Sequence, residues 1–200
     1  LGELPEGYDH KYTYSHLGYN LKPLDIQAAI GNVQLQRLES FSSARRANWQ
    51  KLRAGLDDLV EIFDFALPTH ASGWRRVDSS SGRFHWDSSA CATDPSWFGF
   101  LLLVREGAPF GATDLTRYLD RHRIGNRRLF GGNLTRQPAF VQLRRDNGAA
   151  YRVVGDLRGT DAIMANAVFV GTYPGLSLSM LERLVEVIRN HESINHSRVE

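Results

Sequence analysis

Residues 14–38, YSHLGYNLKPLDIQAAIGNVQLQRL, set tyrosines, a histidine, a Gly-Tyr-Asn-Leu-Lys turn and a proline directly before a strongly helical stretch. Pro23 suits a first helical turn and Asp25 suits its positive end. Leu24, Ala28, Ala29, Ile30, Val33, Leu35 and Leu38 make an apolar surface too broad for a simple exposed helix, which predicts burial or a subunit interface. Ahead of the helix, Gly18 allows close backbone approach, Asn20 offers an amide donor and Lys22 a point charge beside free helix N–H groups. Those features suit a phosphate, and they also suit a plain lead-in to a helix.

Working outward, a second helix is expected over 42–59 from Trp49, Leu52, Leu56 and Leu59, with a bend at Phe41-Ser42-Ser43. On the N-terminal side, residues 1–22 lack periodicity and read as an extended arm. Its Tyr8, Tyr12, Tyr14, His10 and His16 could stack on a planar ring, move a proton, or pack on a neighbouring subunit. From 68 to 93 the composition turns to Ser, Gly, Arg and His, which predicts a long exposed insertion, with a hairpin as one form of it. WFGFLLLVRE (97–106) reads as a buried strand, and PFGATDLTRYLDRHRI as turn and helix with Leu115, Tyr118 and Leu119 inward. The chain should close with an amphipathic helix over 177–190, its Leu181, Leu184, Val185 and Ile188 facing the core, and fray beyond Glu192. Helices packed on a small sheet, in a two-layer α/β unit, fit this order of elements.

Composition narrows the chemistry. The 200 residues are 42% hydrophobic and carry a formal charge of +2, so a core is affordable and no overall polycation draws nucleic acid. The basic run Arg121, His122, Arg123, Arg127 and Arg128, followed by Asn133 and Arg136, reads either as a solvated helix end or as an anion site built from Arg forks. It lacks the interleaved aromatics of a single-strand reader. Cys91 is the sole cysteine, which excludes an internal disulfide and an all-thiolate metal site; a buried thiol is expected there. Schiff-base chemistry would have only Lys11, Lys22 or Lys51 to use. No phosphate-loop, zincin or hydrolase-elbow motif occurs. No run suggests a membrane span or signal peptide, so the cytoplasm is the expected compartment. The chain starts on Leu1 in what reads as mid-loop and is expected to continue upstream.

YDHKYTYSHLGYNLKPLDIQAAIGNVQLQRL, together with DPSWFGFLLLVREGAPF, IGNRRLFGGNLTRQPAF, YRVVGDL and FVGTYPGLSLSMLERLVEVI, resembles the sugar aminotransferase/dehydratase family of fold-type I pyridoxal phosphate proteins. Within it the chain is most similar to the CDP-4-dehydro-6-deoxyglucose 3-dehydratases of 3,6-dideoxyhexose and lipopolysaccharide synthesis. The resemblance implies the C-terminal part of such an enzyme. Residues 1–23 would be an arm reaching the neighbouring active site, 24–59 long interdomain or interface helices, 60–192 a small C-terminal α/β domain with an insertion at 68–93, and 193–200 a frayed tail. It assigns Asn20 and Lys22 to the cofactor phosphate, and Arg127, Asn133 and Arg136 to the substrate. It implies a homodimer, pyridoxamine or pyridoxal phosphate, a CDP-sugar, and a flavin iron-sulfur reductase as electron donor. The catalytic histidine that replaces the usual lysine, and the cysteines of a [2Fe-2S] cluster, are expected upstream of Leu1, so this chain by itself should be inactive. Asn126-Arg127-Arg128 departs from the family's more usual Thr, Arg and apolar residue. A nucleotide-sugar aminotransferase, and a non-catalytic dimerisation remnant, are the alternatives.

Overall fold

The computed structural model describes residues 2–19, 24–65, 73–76, 84–87 and 95–196. In chain order its elements are helices α1 (Asp25–Leu35) and α2 (Leu38–Gly55), strands β1 (Phe63–Asp64), β2 (Gly73–Arg76), β3 (Phe84–Asp87) and β4 (Gly99–Val104), helix α3 (Ala112–Arg121), strand β5 (Asn126–Arg128), helices α4 (Pro138–Asp146) and α5 (Arg158–Asn166), strand β6 (Ala167–Gly171) and helix α6 (Leu178–His196). Single helical turns stand at His10–Tyr12 and Leu134–Arg136. Asn20, Lys22 and Cys91 lie outside the described residues, as does most of 68–93. Within that segment β2 and β3 pair antiparallel, with Trp74 opposite Trp86.

The larger sheet is antiparallel, in the order β1-β4-β6-β5. Side chains alternate across a strand, so Phe100, Leu102 and Val104 of β4 turn to one face and are buried there beside Val168 and Val170 of β6. Helices α2, α3 and α6 cover that face with Trp49, Leu52, Leu115, Leu119, Leu181 and Ile188. Trp49 stacks on Trp97 at 5.1 Å between ring centroids. Phe169, one residue out of step with Val168 and Val170, lies on the other face, and α5 packs against β4 and β6. Helix α3 begins where the Asp114 carboxylate accepts the Gly111 N–H at 3.2 Å, closing its first turn.

Several sequence expectations shift in detail. The break between the first helices falls at Gln36-Arg37, not at residues 41–43. Ser43 donates its hydroxyl to the Glu39 carboxylate rather than to a backbone carbonyl, so the helix passes through unbroken, whereas Ser40 donates to Arg37 at the true start of α2. Helix α2 ends at Gly55, and Leu56 and Leu59 are buried in the turns that follow. The last helix runs to His196, past the expected end at residue 190, and residues 197–200 lie outside the described residues. His191 anchors this extension, its ring 4.3 Å from Tyr118 and 4.2 Å from Phe110. Val187 is buried on α6, and Val185 is only partly covered. Leu24 at the N-cap of α1, and Ile26, Ile30, Val33 and Leu35 within it, are exposed in the chain taken alone.

Candidate functional site

The N-terminal arm lies along its own chain, against the segment from Phe130 to Ala139. Gln137 makes this junction. Fully buried, it accepts the Tyr14 N–H at 2.8 Å and donates to the carbonyls of Tyr12 (2.8 Å) and Gly131 (2.9 Å). The Ala139 N–H donates back to the Tyr14 carbonyl, the Glu3 N–H donates to that of Arg136, and the Tyr8 hydroxyl donates to that of Phe130. Backbone groups need partners once withdrawn from water, so these bonds account for the arm's course. Burial pushes the Tyr8 hydroxyl above its ordinary pKa, against the pull of the neighbouring Arg128 charge. His10 and His16 stay exposed.

Two glycines shape the loop behind the arm. A Cβ at Gly131 would stand 2.6 Å from the Tyr14 ring, and one at Gly132, which has φ +59°, would stand 2.7 Å from the Met164 side chain. The chain can therefore pass between the arm and α5 only without side chains here. Asn133 follows directly. Its amide oxygen accepts from the Thr135 N–H and hydroxyl, and its amide nitrogen donates to Asp161 at 2.6 Å. Arg136 donates to the same carboxylate through Nε (2.6 Å) and Nη2 (2.8 Å), a bidentate fork. The bonds from Arg136 and then Asn133 hold the Asp161 carboxyl well below its usual range, at about 2. Asp161 also sits in the first turn of α5, where a negative charge is favoured.

Of the residues assigned to the substrate, Asn133 and Arg136 thus converge on one carboxylate, and Arg127 is exposed on β5. The basic run does not act as one patch. Arg121, Arg123 and Arg127 are exposed, whereas Arg128 is buried, donating to the Ala165 carbonyl at 3.1 Å and the Thr113 hydroxyl at 3.3 Å. Sequence reasoning missed Asp161 as the partner and Gln137 as the clamp. No local pattern ties Asp161 to a loop 25 residues earlier. The donors proposed for the cofactor phosphate, Asn20 and Lys22, stand outside the described residues, between the exposed Tyr19 and the start of α1. An amide and an ammonium before an eleven-residue helix fit a phosphate in chemistry, whereas Asp25 in the first turn opposes an anion at close range. Among the described residues no cluster of His, Cys, Asp or Glu could hold a metal ion, and no helix is long and apolar enough to cross a membrane.

The model of the DegT/DnrJ/EryC1/StrS aminotransferase family matches residues 4–189. The chain belongs to this family. It is 41% identical over 195 residues to the lipopolysaccharide biosynthesis protein RfbH of Salmonella typhimurium, covering 98% of this chain and 38% of that protein. With the dTDP-4-dehydro-2,6-dideoxy-D-glucose 3-dehydratase of Saccharopolyspora spinosa it shares 40% identity over 188 residues, 94% of this chain and 35% of that enzyme. Among solved structures, the E. coli GDP-4-keto-6-deoxy-D-mannose-3-dehydratase with bound hydrated PLP superposes with a TM-score of 0.59 at 23% identity, over 90% of this chain and 39% of that one. The chain therefore spans less than two-fifths of the length of these relatives, and it has the fold of the C-terminal part of a fold-type I pyridoxal-phosphate-dependent protein.

Proposed function

We propose that the chain is the C-terminal portion of a pyridoxamine-phosphate-dependent nucleotide-sugar 3-dehydratase acting on CDP-4-dehydro-6-deoxyglucose. The observation that carries this reading is the 40% identity, over 94% of the chain, to an enzyme named as a sugar-nucleotide 3-dehydratase. The name of the Salmonella relative supports a place in lipopolysaccharide synthesis. When bound, pyridoxamine phosphate supplies an amine for the sugar C4 ketone and an electron sink for loss of the C3 hydroxyl. In this reading Asn20 donates to the cofactor phosphate and Lys22 offsets its charge across a homodimer interface. Arg127, Asn133 and Arg136 face the substrate. Asp161 leaves Arg136 Nη1 and one Asn133 amide hydrogen for substrate oxygens, and fixes the direction in which they point. A [2Fe-2S] cluster, a flavin iron-sulfur reductase and a cytoplasmic setting complete the proposal.

The test uses the intact protein. Loaded with pyridoxamine phosphate and given CDP-4-dehydro-6-deoxyglucose with a reductase, it should release the C3 oxygen as water, followed by mass spectrometry of the sugar. It should carry histidine, not lysine, at the Schiff-base position. Transfer of the amino group to C4 with the C3 hydroxyl retained would make it an aminotransferase instead. Absence of cofactor binding would leave the dimerisation-remnant reading.

A further inference from the structure

The sheet face opposite the main core carries an aromatic group that the proposed catalytic assignments leave unused. Phe169 is buried on it, and Phe98 and Phe130 pack against Phe169 with centroids 5.7 and 5.9 Å away. Those two rings are themselves 6.3 Å apart and inclined by 31°, yet 64% and 53% exposed. Their backbones are pinned. The carbonyl of Trp97, next to Phe98, accepts from Arg45 at 3.1 Å and from the Thr172 hydroxyl at 2.6 Å, and the Phe130 carbonyl accepts from Tyr8. Phe130 holds φ +50°, a conformation a bulky residue adopts only when its surroundings impose it. Gly99 makes room for the group, since a Cβ there would stand 2.5 Å from the Phe169 ring.

Arg127 is the cross-strand partner of Phe169, and directly opposed residues share a face. Its guanidinium makes no hydrogen bond or ion pair among the described residues. We infer that Phe98 and Phe130 form the stacking platform for the base of a nucleoside diphosphate whose phosphates are held by Arg127. Exposed rings on pinned backbones suit a planar heterocycle, and a guanidinium fork beside them suits the adjoining diphosphate. The rings lie 32 positions apart in sequence, so no local motif announces them. This inference rests on the nucleotide-sugar reading and assigns the part of the chain that meets the nucleotide.

The test is calorimetric titration of the intact protein with CDP, GDP, dTDP and inorganic pyrophosphate. Phe98→Leu and Phe130→Leu should each weaken nucleoside diphosphate binding about tenfold and leave pyrophosphate unchanged; Arg127→Gln should weaken both. In Phe98→Trp, which keeps the platform, nucleotide should quench the new indole fluorescence. Unchanged nucleotide affinity in the leucine variants, no quenching, or no nucleotide binding by the wild type would each overturn the inference. Cofactor absorbance and sugar dehydration are measured on the same samples. If both persist when the platform assignment fails, the dehydratase reading stands without it; if both are absent, that reading has failed as well.

Discussion

Replacing Gln137 with leucine removes the clamp between arm and loop while keeping the volume of the side chain. Three partners lose their bond: the Tyr14 N–H and the carbonyls of Tyr12 and Gly131. An unsatisfied buried polar group costs about 1–3 kcal/mol. Tyr12 and Tyr14 stand near the surface, so water can reach two of the three groups, and the total should be about 3 kcal/mol. The remaining bonds of the arm, from Glu3, Tyr8 and Ala139, do not match that loss, so the arm should detach before the core unfolds. Amide exchange at Tyr14 and Ala139 should then accelerate roughly 100-fold, at about 1.4 kcal/mol per decade, and exchange at Leu102 should stay as in the wild type. Hydrogen exchange read by NMR or mass spectrometry measures both. Unaltered protection at Tyr14 and Ala139 would refute the clamp, and equal loss at Leu102 would show that the arm and the core unfold as one unit.

Leu102→Ala, at the fully buried centre of β4, should destabilise the protein by about 2–5 kcal/mol, as read from chemical denaturation. Asp161 has a folded pKa of about 2 against an ordinary 3.8, so its contribution is complete above pH 4 and fades as pH falls through 2. Because the pair is partly exposed, that contribution should be about 1 kcal/mol at most; Asp161→Asn should lower stability by that amount above pH 5, and the variant and wild-type curves should converge as pH falls from 4 to 2. If Asn20 holds the cofactor phosphate as proposed, Asn20→Ala in the intact protein should weaken retention of pyridoxal phosphate by about 1.5–3 kcal/mol, measured by equilibrium dialysis; unchanged retention would overturn that assignment.

The parts of the fold legible in the sequence are those in which one element's own period decides its burial. Leu115, Tyr118 and Leu119 in α3, and the apolar run of β4, turn inward as their spacing requires. The parts that were not legible depend on partners distant in the chain. Nothing local separates Arg127 from Arg128, yet the pleat turns one to solvent and the other under α3, onto the Thr113 hydroxyl. Ser42 and Ser43 looked like a bend because serine competes for backbone bonds. Glu39, one turn earlier, instead receives the Ser43 hydroxyl. The breadth of the apolar surface on α1 was readable, but its occupant was not, because no described residue of this chain buries it.

The Arg136–Asp161 pair contributes order more than stability. A partly exposed ion pair adds little to folding, so stability alone does not explain why two side chains of one loop meet on a carboxylate in the first turn of α5. What the arrangement supplies is direction. Arg136 would otherwise sample many rotamers; with Nε and Nη2 bound, its remaining nitrogen has one orientation, and the Asn133 amide is fixed against the same carboxylate. Gly131 and Gly132 let the loop pass between the arm and Met164, and Gln137 closes it from the other side. A substrate oxygen meeting this loop would therefore find donors already ordered, and the entropy of arranging them would be lost at folding rather than at binding.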